Sequence, residues 1–564
     1  MAVPGSNPGK AVLQRNRRIA RSTLTVMIAF ATAKLISLLQ TLIIAQVFGV
    51  GRELDAYVAA NRIPELIVVL ISGGALTHAF IPVFSGYLAQ GKVDAAWRLS
   101  SSLINTIFSL ALILSAVVFF LAPWLVSQVV APGFDTVTTN NTVEMMRILL
   151  LSTIIFSISG IFSGILNSHQ HFLLPALAPI MFDIGILFGV LFLLPGFGAH
   201  GIAIGAVIGS ALHFSIQVPG LVKYRMSWKR GLGLANPALW RVIRLMLPRI
   251  GGLGVFALNF LVMNNIASRL SVGSVSALDW GWRLMQIPQT LIGTAMGIVI
   301  FPTLAALSEV RDLDGKRDAM SGALRFVLVT SIPSAIGLIV LGRPLIGLLE
   351  RGAFDAAASA LVYSTLSMFT LGLIVHSALE VIARSFYADK DTLTPLYAAL
   401  GGAGINFVFA ILLSDVTQVD SRLFANSVAR AFPSLGFEPY IGRVSGLALA
   451  NSLGVMFEVL CLLVILRRRW SGIREGSLAS SLMKSLVASL VMAGTVVVMD
   501  TLWQAWAPGG GLSLMIARLL AQGLVGLAVF VCVAALIRMQ ELSELLNIVR
   551  GRSVTGRKRR SNAD

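Results

Sequence analysis

Residues 22–49 read STLTVMIAFATAKLISLLQTLIIAQVFG, with Lys34 as the one charged side chain. A membrane-spanning helix needs about twenty mostly apolar residues, because the hydrocarbon core is about 30 Å thick. This run is too long for a signal-peptide apolar region and lacks a small-residue cleavage pattern. Before it, residues 1–21 carry Lys10, Arg15, Arg17, Arg18 and Arg21 and no acid. The two stretches read as a basic cytoplasmic N-terminus and a first transmembrane helix that stays in the membrane.

The same texture fills the chain. Soluble proteins carry about 25% charged residues; these 564 residues carry 12%, with 56% hydrophobic. A large soluble enzyme and a disordered chain are both excluded. The expected fold is an all-α polytopic membrane protein of about fourteen helices. Their approximate limits are 22–48, 55–86, 98–130, 142–168, 172–195, 199–223, 240–270, 275–308, 318–349, 359–387, 392–414, 443–466, 479–503 and 512–540. The net charge of +18 fits cytoplasmic loops that collect Lys and Arg better than it fits a nucleic-acid partner. Cys461 and Cys532 sit in apolar runs and give neither a disulfide framework nor zinc spacing. There is no cofactor motif and no Walker A sequence. No paired carboxylates with a nearby His suggest hydrolysis or glycosyl transfer. The expectation is a protein without enzymatic activity, metal or cofactor. His169 and His171 read as solvated residues of a short loop.

Loop charge sets the orientation. Loops after even-numbered helices hold Lys92 and Arg98, then Lys223, Arg225, Lys229 and Arg230, then Arg311, Lys316 and Arg317, and later Arg467 to Arg469. Loops after odd-numbered helices are nearly bare, apart from Arg52, Arg351 and the 415–442 segment. Both termini are therefore expected in the cytoplasm.

The chain also repeats at an offset of about 220 residues. Asp55 and Ile63-Pro64 recur as Asp279 and Ile287-Pro288, Phe80-Ile81-Pro82 as Phe301-Pro302, and Gly91-Lys92-x-Asp94-Ala95 as Gly315-Lys316-x-Asp318-Ala319. Pro123, Pro132-Gly133-Phe134 and Pro175 are answered by Pro344, Gly352-Ala353-Phe354 and Pro395. Six helices lie within one offset, so the copies share an orientation, as in many secondary transporters. The expected organisation is a basic N-terminus (1–21), an N-lobe of helices one to six (22–223) and a cytoplasmic linker (224–239). A C-lobe of helices seven to twelve follows (240–466), with a long extracytoplasmic loop (415–442). Two further helices (479–540) and a basic cytoplasmic tail (541–564) complete the chain. The lobes are pseudo-symmetric, and the last two helices stand outside the repeat.

Charges inside spans cost at least about 2.5–3.5 kcal/mol at mid-bilayer. Arg147 and Arg249 lie near span ends, where a side chain can reach the headgroups. Lys34, Arg62 and Arg283 lie about eight to twelve residues into their spans, at near-matching places of the two lobes. For these three, structural ion pairing and a polar cavity both remain open. A cationic cavity would suit an anionic amphiphile, whose phosphate oxygens pair with Arg as a fork and with Lys as a point charge.

The run Phe48-Gly49-x-Gly51-x(3)-Asp55-Ala56-Tyr57-x(4)-Arg62-Ile63-Pro64, continued by Gly74-Ala75-Leu76-x(2)-Ala79-Phe80-Ile81-Pro82, resembles the MurJ/MviN family. These are lipid II flippases of the multidrug/oligosaccharidyl-lipid/polysaccharide exporter superfamily. Further matches are Trp282-Arg283-Leu284, Phe301-Pro302-Thr303-Leu304 and Phe386-Tyr387-Ala388-x(2)-Asp391-x(2)-Thr394-Pro395. The resemblance covers about residues 22–414, and the remainder by helix count. It implies a two-lobed bundle with a central cationic cavity in a bacterial plasma membrane. It implies alternating access that carries lipid II, an undecaprenyl-diphosphate-linked disaccharide-pentapeptide, to the outer leaflet. It also implies that the last two helices form a groove for the lipid tail. Asp55, Arg62 and Arg283 fall on charged positions of the family pattern, and Lys34 stands where the family has Arg, so these four are the expected substrate-binding residues. Expected partners are the lipid-linked anionic glycan, membrane lipids and other envelope-synthesis proteins.

The chain departs from the pattern at Gln40, Thr41, Val68, Val69 and Gly73, where the family carries charge. Other readings therefore stay open: a flippase for another polyprenyl-diphosphate-linked oligosaccharide, a cation-coupled multidrug antiporter using Asp183, or a non-transporting scaffold for envelope synthesis. The topology has a direct check in a background lacking Cys461 and Cys532. Trp228→Cys should resist a membrane-impermeant thiol reagent in intact cells, and Ala505→Cys should react. Labelling of Trp228→Cys from outside would contradict the orientation.

Overall fold

The computed structural model describes residues 32, 36–37, 39–71, 74–414, 444–506, 511–539 and 541. Lys34, the 415–442 loop and the basic ends lie outside the described residues. Among the described residues every regular element is helical. In chain order the helices are α1 Leu39–Phe48, α2 Arg52–Ile71, α3 Gly74–Ala89, α4 Val93–Trp124, α5 Thr136–Ser168, α6 Leu173–Phe188, α7 Leu194–Phe197, α8 His200–Ser215 and α9 Val218–Lys223. They continue as α10 Pro237–Ser268, α11 Ser274–Gln289, α12 Ala295–Glu309, α13 Leu313–Gly347, α14 Ala356–Ala388, α15 Leu393–Leu413, α16 Val444–Trp470, α17 Glu475–Trp506 and α18 Leu512–Leu536.

Twelve spans among the described residues are long and apolar enough to cross a membrane. They match the last twelve of the expected helices. Of the first, residues 32 and 36–37 and α1 are described. The second is two helices, α2 and α3. The eighth continues from α11 through a π-helical turn at Thr290–Thr294 into α12. A π turn loosens the helix by one residue and lets it bend without losing its backbone bonds.

The chain divides into two compact units, Met1–Val272 and Gly273–Asp564. In the first, α5 is the central post and packs against α2, α3, α4 and α8. Its buried side chains include Met145, Met146, Leu149, Ile161, Ile165 and Leu166. Helix α10 packs on α2 and α3. In the repeat this helix opens the second copy; in packing it belongs to the first unit. In the second unit α14 is the post, packed on α11, α12, α13 and α16, and α17 packs on α13 and α18.

Each unit closes one helix pair on glycine. On α6 and the π turn after it, Gly185 and Gly189 face Gly201, Gly205 and Gly209 of α8. A Cβ on Gly205 would meet Gly185 O and Gly189 Cα at 2.8 Å. In the second unit Gly402 of α15 meets Gly454 of α16, where a Cβ on Gly454 would lie 2.6 Å from Gly402 O. In lipid no hydrophobic effect drives helices together, so such backbone approach supplies the dispersion contacts that do.

The repeat is visible in the caps. Asp135 and Asp355 each accept the N–H three residues on, from Thr138 at 2.9 Å and Ala358 at 2.8 Å, and so start α5 and α14. Gln170 and Lys390 both take left-handed φ at the ends of those helices. One matched motif shifts register. Lys92 precedes α4 as Asp312 precedes α13, so Gly91-Lys92 corresponds to Arg311-Asp312 and the likeness to Gly315-Lys316 lies one turn away. The loop histidines are also less exposed than expected. His169 stacks on Tyr224 with ring centroids 4.2 Å apart and also faces Trp97 at 6.0 Å. Burial pushes the His169 imidazole below its usual pKa.

The glycine pairs give a stability test. Gly205→Val should destabilise the protein by about 1–3 kcal/mol through overpacking. Gly404→Ala, with nothing within 4 Å of the added Cβ, should be neutral or mildly stabilising. Thermal unfolding of the purified proteins reads both, and equal midpoints for Gly205→Val and the parent would contradict the packing.

Candidate functional site

In the first unit the candidate site centres on Arg62 of α2. A guanidinium in a span needs oxygen or aromatic partners to offset lost hydration. Arg62 Nε donates to Asn264 Oδ1 of α10 at 3.4 Å, and its guanidinium carbon lies 5.8 Å from the Phe260 ring centroid. Glu65, one turn on, approaches at 3.7 Å. The Arg62 side chain is 11% exposed and that of Glu65 53%, so the acid faces outward while the base is held inside.

Asn264 is itself fixed. Its Nδ2 donates to Val130 O at 2.9 Å, which aims Oδ1 at Arg62. The neighbouring Asn265 donates to Val129 O at 2.6 Å, and Ser268 Oγ accepts from Gly133 N. The two amides satisfy carbonyls at the π-helical end of α4, Leu125–Val130, the serine satisfies an N–H just beyond it, and all three tie α10 to this segment. Asp55 lies two turns before Arg62 on the same helix, so both fall on one face. It is buried in the first turn of α2, where the helix N-terminus favours a negative charge.

In the second unit the corresponding helix is α11. Asp279 is buried as Asp55 is. Arg283 Nε donates to Asp279 Oδ2 at 2.5 Å, an i,i+4 pair. The Arg283 side chain is 62% exposed against 10% for Asp279, so its guanidinium reaches outward from a buried anchor. Trp282 beside it turns the other way, onto Phe369 and His376 of α14. His376 in turn meets Asn451 Oδ1 at 3.2 Å.

The four expected residues thus distribute simply. Asp55 and Arg62 share one helix of the first unit, Arg283 stands on α11 of the second, and Lys34 lies outside the described residues. Sequence reading missed the support: Asn264 and Phe260 for Arg62, and Asp279 as the partner of Arg283. The adjacent amides Asn264-Asn265 inside an apolar run were the available signal for the first. Two other charges within spans have local partners. Arg147 donates to Phe119 O at 3.2 Å and covers its ring at 4.8 Å, and Glu380 pairs with Arg384 at 3.3 Å. Among the described residues there is no group of His, Cys, Asp and Glu able to hold a metal ion.

Comparisons with known proteins give the family. A family model described as lipid II flippase MurJ matches residues 44–517. A lipid II flippase MurJ of Burkholderia cenocepacia is 30% identical over 459 residues, 80% of this chain and 84% of the relative. A probable lipid II flippase MurJ of Rhizobium tropici is 28% identical over 529 residues, 92% of each chain. Among solved structures, a lipid II flippase MurJ in an inward closed conformation superposes with TM-score 0.72 at 24% identity, covering 94% of this chain and 100% of that one. An inward-facing MATE family multidrug resistance transporter of the MOP superfamily superposes with TM-score 0.60 at 14% identity, covering 78% and 96%. At those identities the superpositions speak for the fold, while the family model and the relatives speak for descent: the chain belongs to the lipid II flippase MurJ family.

Proposed function

We propose that this chain carries lipid II from the inner to the outer leaflet of a bacterial plasma membrane by alternating access, with both termini in the cytoplasm. The observation that carries the reading is the match to the lipid II flippase family along residues 44–517. The residue chemistry agrees with it. The substrate's diphosphate is a doubly anionic group that must leave water, and guanidinium forks are suited to receive it. Arg62, Arg283 and Lys34 are the residues proposed to hold that diphosphate during the cycle, and Asp55 is proposed to orient the substrate's polar head. Arg62 is placed by a neutral amide and a ring together with Glu65. Asp279 anchors Arg283 at its Nε. In this reading the protein acts as a carrier and breaks no bond.

A second reading concerns the glycan. Gln40 is buried, Thr41 Oγ1 donates to Ser37 O of its own helix at 2.7 Å, and Val68 and Val69 stand where the family has basic residues. Fewer charges around the same helices would suit another polyprenyl-diphosphate-linked oligosaccharide.

Complementation tests the first reading. The gene should rescue cells depleted of their own lipid II flippase. Arg62→Ala and Arg283→Ala should lose rescue at normal membrane abundance, since each charge-assisted bond contributes about 1.5–3 kcal/mol, or roughly tenfold to a hundredfold in affinity. Arg62→Lys and Arg283→Lys should retain part of it, and Lys34→Arg should be tolerated. Full rescue by both Ala variants would contradict these roles.

A further inference from the structure

The first unit contains a second cationic place, away from Arg62. A pocket of about 430 Å³ opens between the start of α4 and the segment joining α9 to α10, and its lining includes Arg98, Lys229, Arg230, Tyr87, Ser101 and Asn236. The joining segment does not hang free. Asn105 Nδ2 donates to Lys229 O at 3.0 Å and to Gly231 O at 2.7 Å. Lys229 N donates to Ser101 Oγ at 3.0 Å, and Thr106 Oγ1 donates to Leu232 O at 3.0 Å. The backbone turns through Gly231 and Gly233, both with positive φ, which only glycine adopts without strain. Lys229 and Arg230 are therefore presented to the pocket from a backbone laced to α4, opposite Arg98.

Charge balance sets this pocket apart. Arg98, Lys229 and Arg230 are exposed, and among the described residues none of them forms an ion pair. The corresponding loops of the second repeat are built the other way. There Lys316 pairs with Asp389, Arg469 with Asp391 at 2.6 Å, and Arg474 with Asp318 at 2.9 Å. One copy has neutralised its basic corner with acids; the other has kept three cations around a cavity.

We propose that this pocket binds a phosphate group, and that its occupant is the headgroup phosphate of an anionic phospholipid of the cytoplasmic leaflet. Three cations in a concave site with hydroxyl and amide neighbours match phosphate oxygens. The surroundings select a lipid over a soluble anion. Trp228, Leu232, Leu234 and Trp240 are exposed around the segment. Trp228 Nε1 donates to Asn105 Oδ1 at 2.9 Å and Trp240 Nε1 to Leu234 O at 2.8 Å. Both indole N–H groups are thus satisfied while the rings stay exposed, and tryptophan is enriched at membrane–water interfaces. Loop charge puts this segment on the cytoplasmic side, where anionic lipids attract basic segments. The lining shares no residue with the contacts of Arg62, and its test needs no transport readout.

The test uses the full chain purified in detergent and titrated with phosphatidylglycerol, phosphatidylcholine or inorganic phosphate, with bound lipid read by native mass spectrometry. The parent should bind phosphatidylglycerol in preference to phosphatidylcholine. The variant Arg98→Gln/Lys229→Gln/Arg230→Gln should bind it at least about tenfold more weakly, and Arg98→Gln alone should fall between. A charge-matched control, Lys223→Gln/Arg225→Gln/Arg311→Gln, should bind as the parent does. Equal binding by parent and pocket variant, or equal loss in the control, would overturn the site. Displacement of phosphatidylglycerol by inorganic phosphate at comparable concentration would overturn the lipid as its occupant.

Discussion

The constraint behind the whole structure is that hydrocarbon supplies no hydrogen bonds, so the backbone polar groups of a span must find their partners inside the protein, and polar side chains gain by doing the same. Helices answer this for the backbone. Side-chain hydroxyls answer it by bonding back to their own helix: Thr142 to Thr138 O and Ser168 to Gly164 O, at 2.7 and 2.8 Å. Polar groups that cannot bond locally are linked between helices. Ser159 Oγ meets His213 Nδ1 at 2.7 Å, Gln217 donates to Ser159, and Ser163 donates to Gln217. The same rule gives Asn264 its place, since its amide closes a carbonyl left by the π turn and still has an oxygen for Arg62. The setting of Arg62 is thus assembled from a structural repair.

The two units answer the constraint with one plan and different details. Both start their central post with an aspartate cap and close a helix pair on glycine. Both bury an aspartate early in the helix that carries the candidate arginine. The details diverge where charge matters. Arg62 lies seven residues after Asp55 and is held largely inside, while Arg283 lies four after Asp279, is paired with it and reaches outward. A duplicated scaffold can keep its backbone geometry while its charged residues drift, because one helical turn moves a side chain along a face without changing the packing behind it.

Much of the fold was legible because the membrane writes a coarse signal. Apolar runs of the right length gave the last twelve spans to within a few residues, and the recurring prolines and short motifs pointed to the duplication. Register was harder: the Gly-Lys-x-Asp motif matched one turn out of phase, since short motifs in biased composition recur by chance. The candidate site was legible as depth of charge, which singled out Arg62 and Arg283 for the proposal. Their partners were not, because Asn264 lies 202 residues from Arg62 in the chain and no periodicity links them. His169 also misled, since a histidine in a short polar loop gives no sign of the Tyr224 and Trp97 rings that cover it.

The central claim is that the chain moves a diphosphate-linked lipid across a bilayer using arginines set inside its spans. The most direct measurement is translocation of lipid II by the purified protein in liposomes, scored by access of an impermeant reagent to its head group. The account predicts transport by the parent protein, loss with Arg62→Ala, and no transport of a polyprenyl glycan whose diphosphate is replaced by a neutral linkage. Transport of the neutral analogue at the same rate, or undiminished lipid II transport by Arg62→Ala, would contradict it.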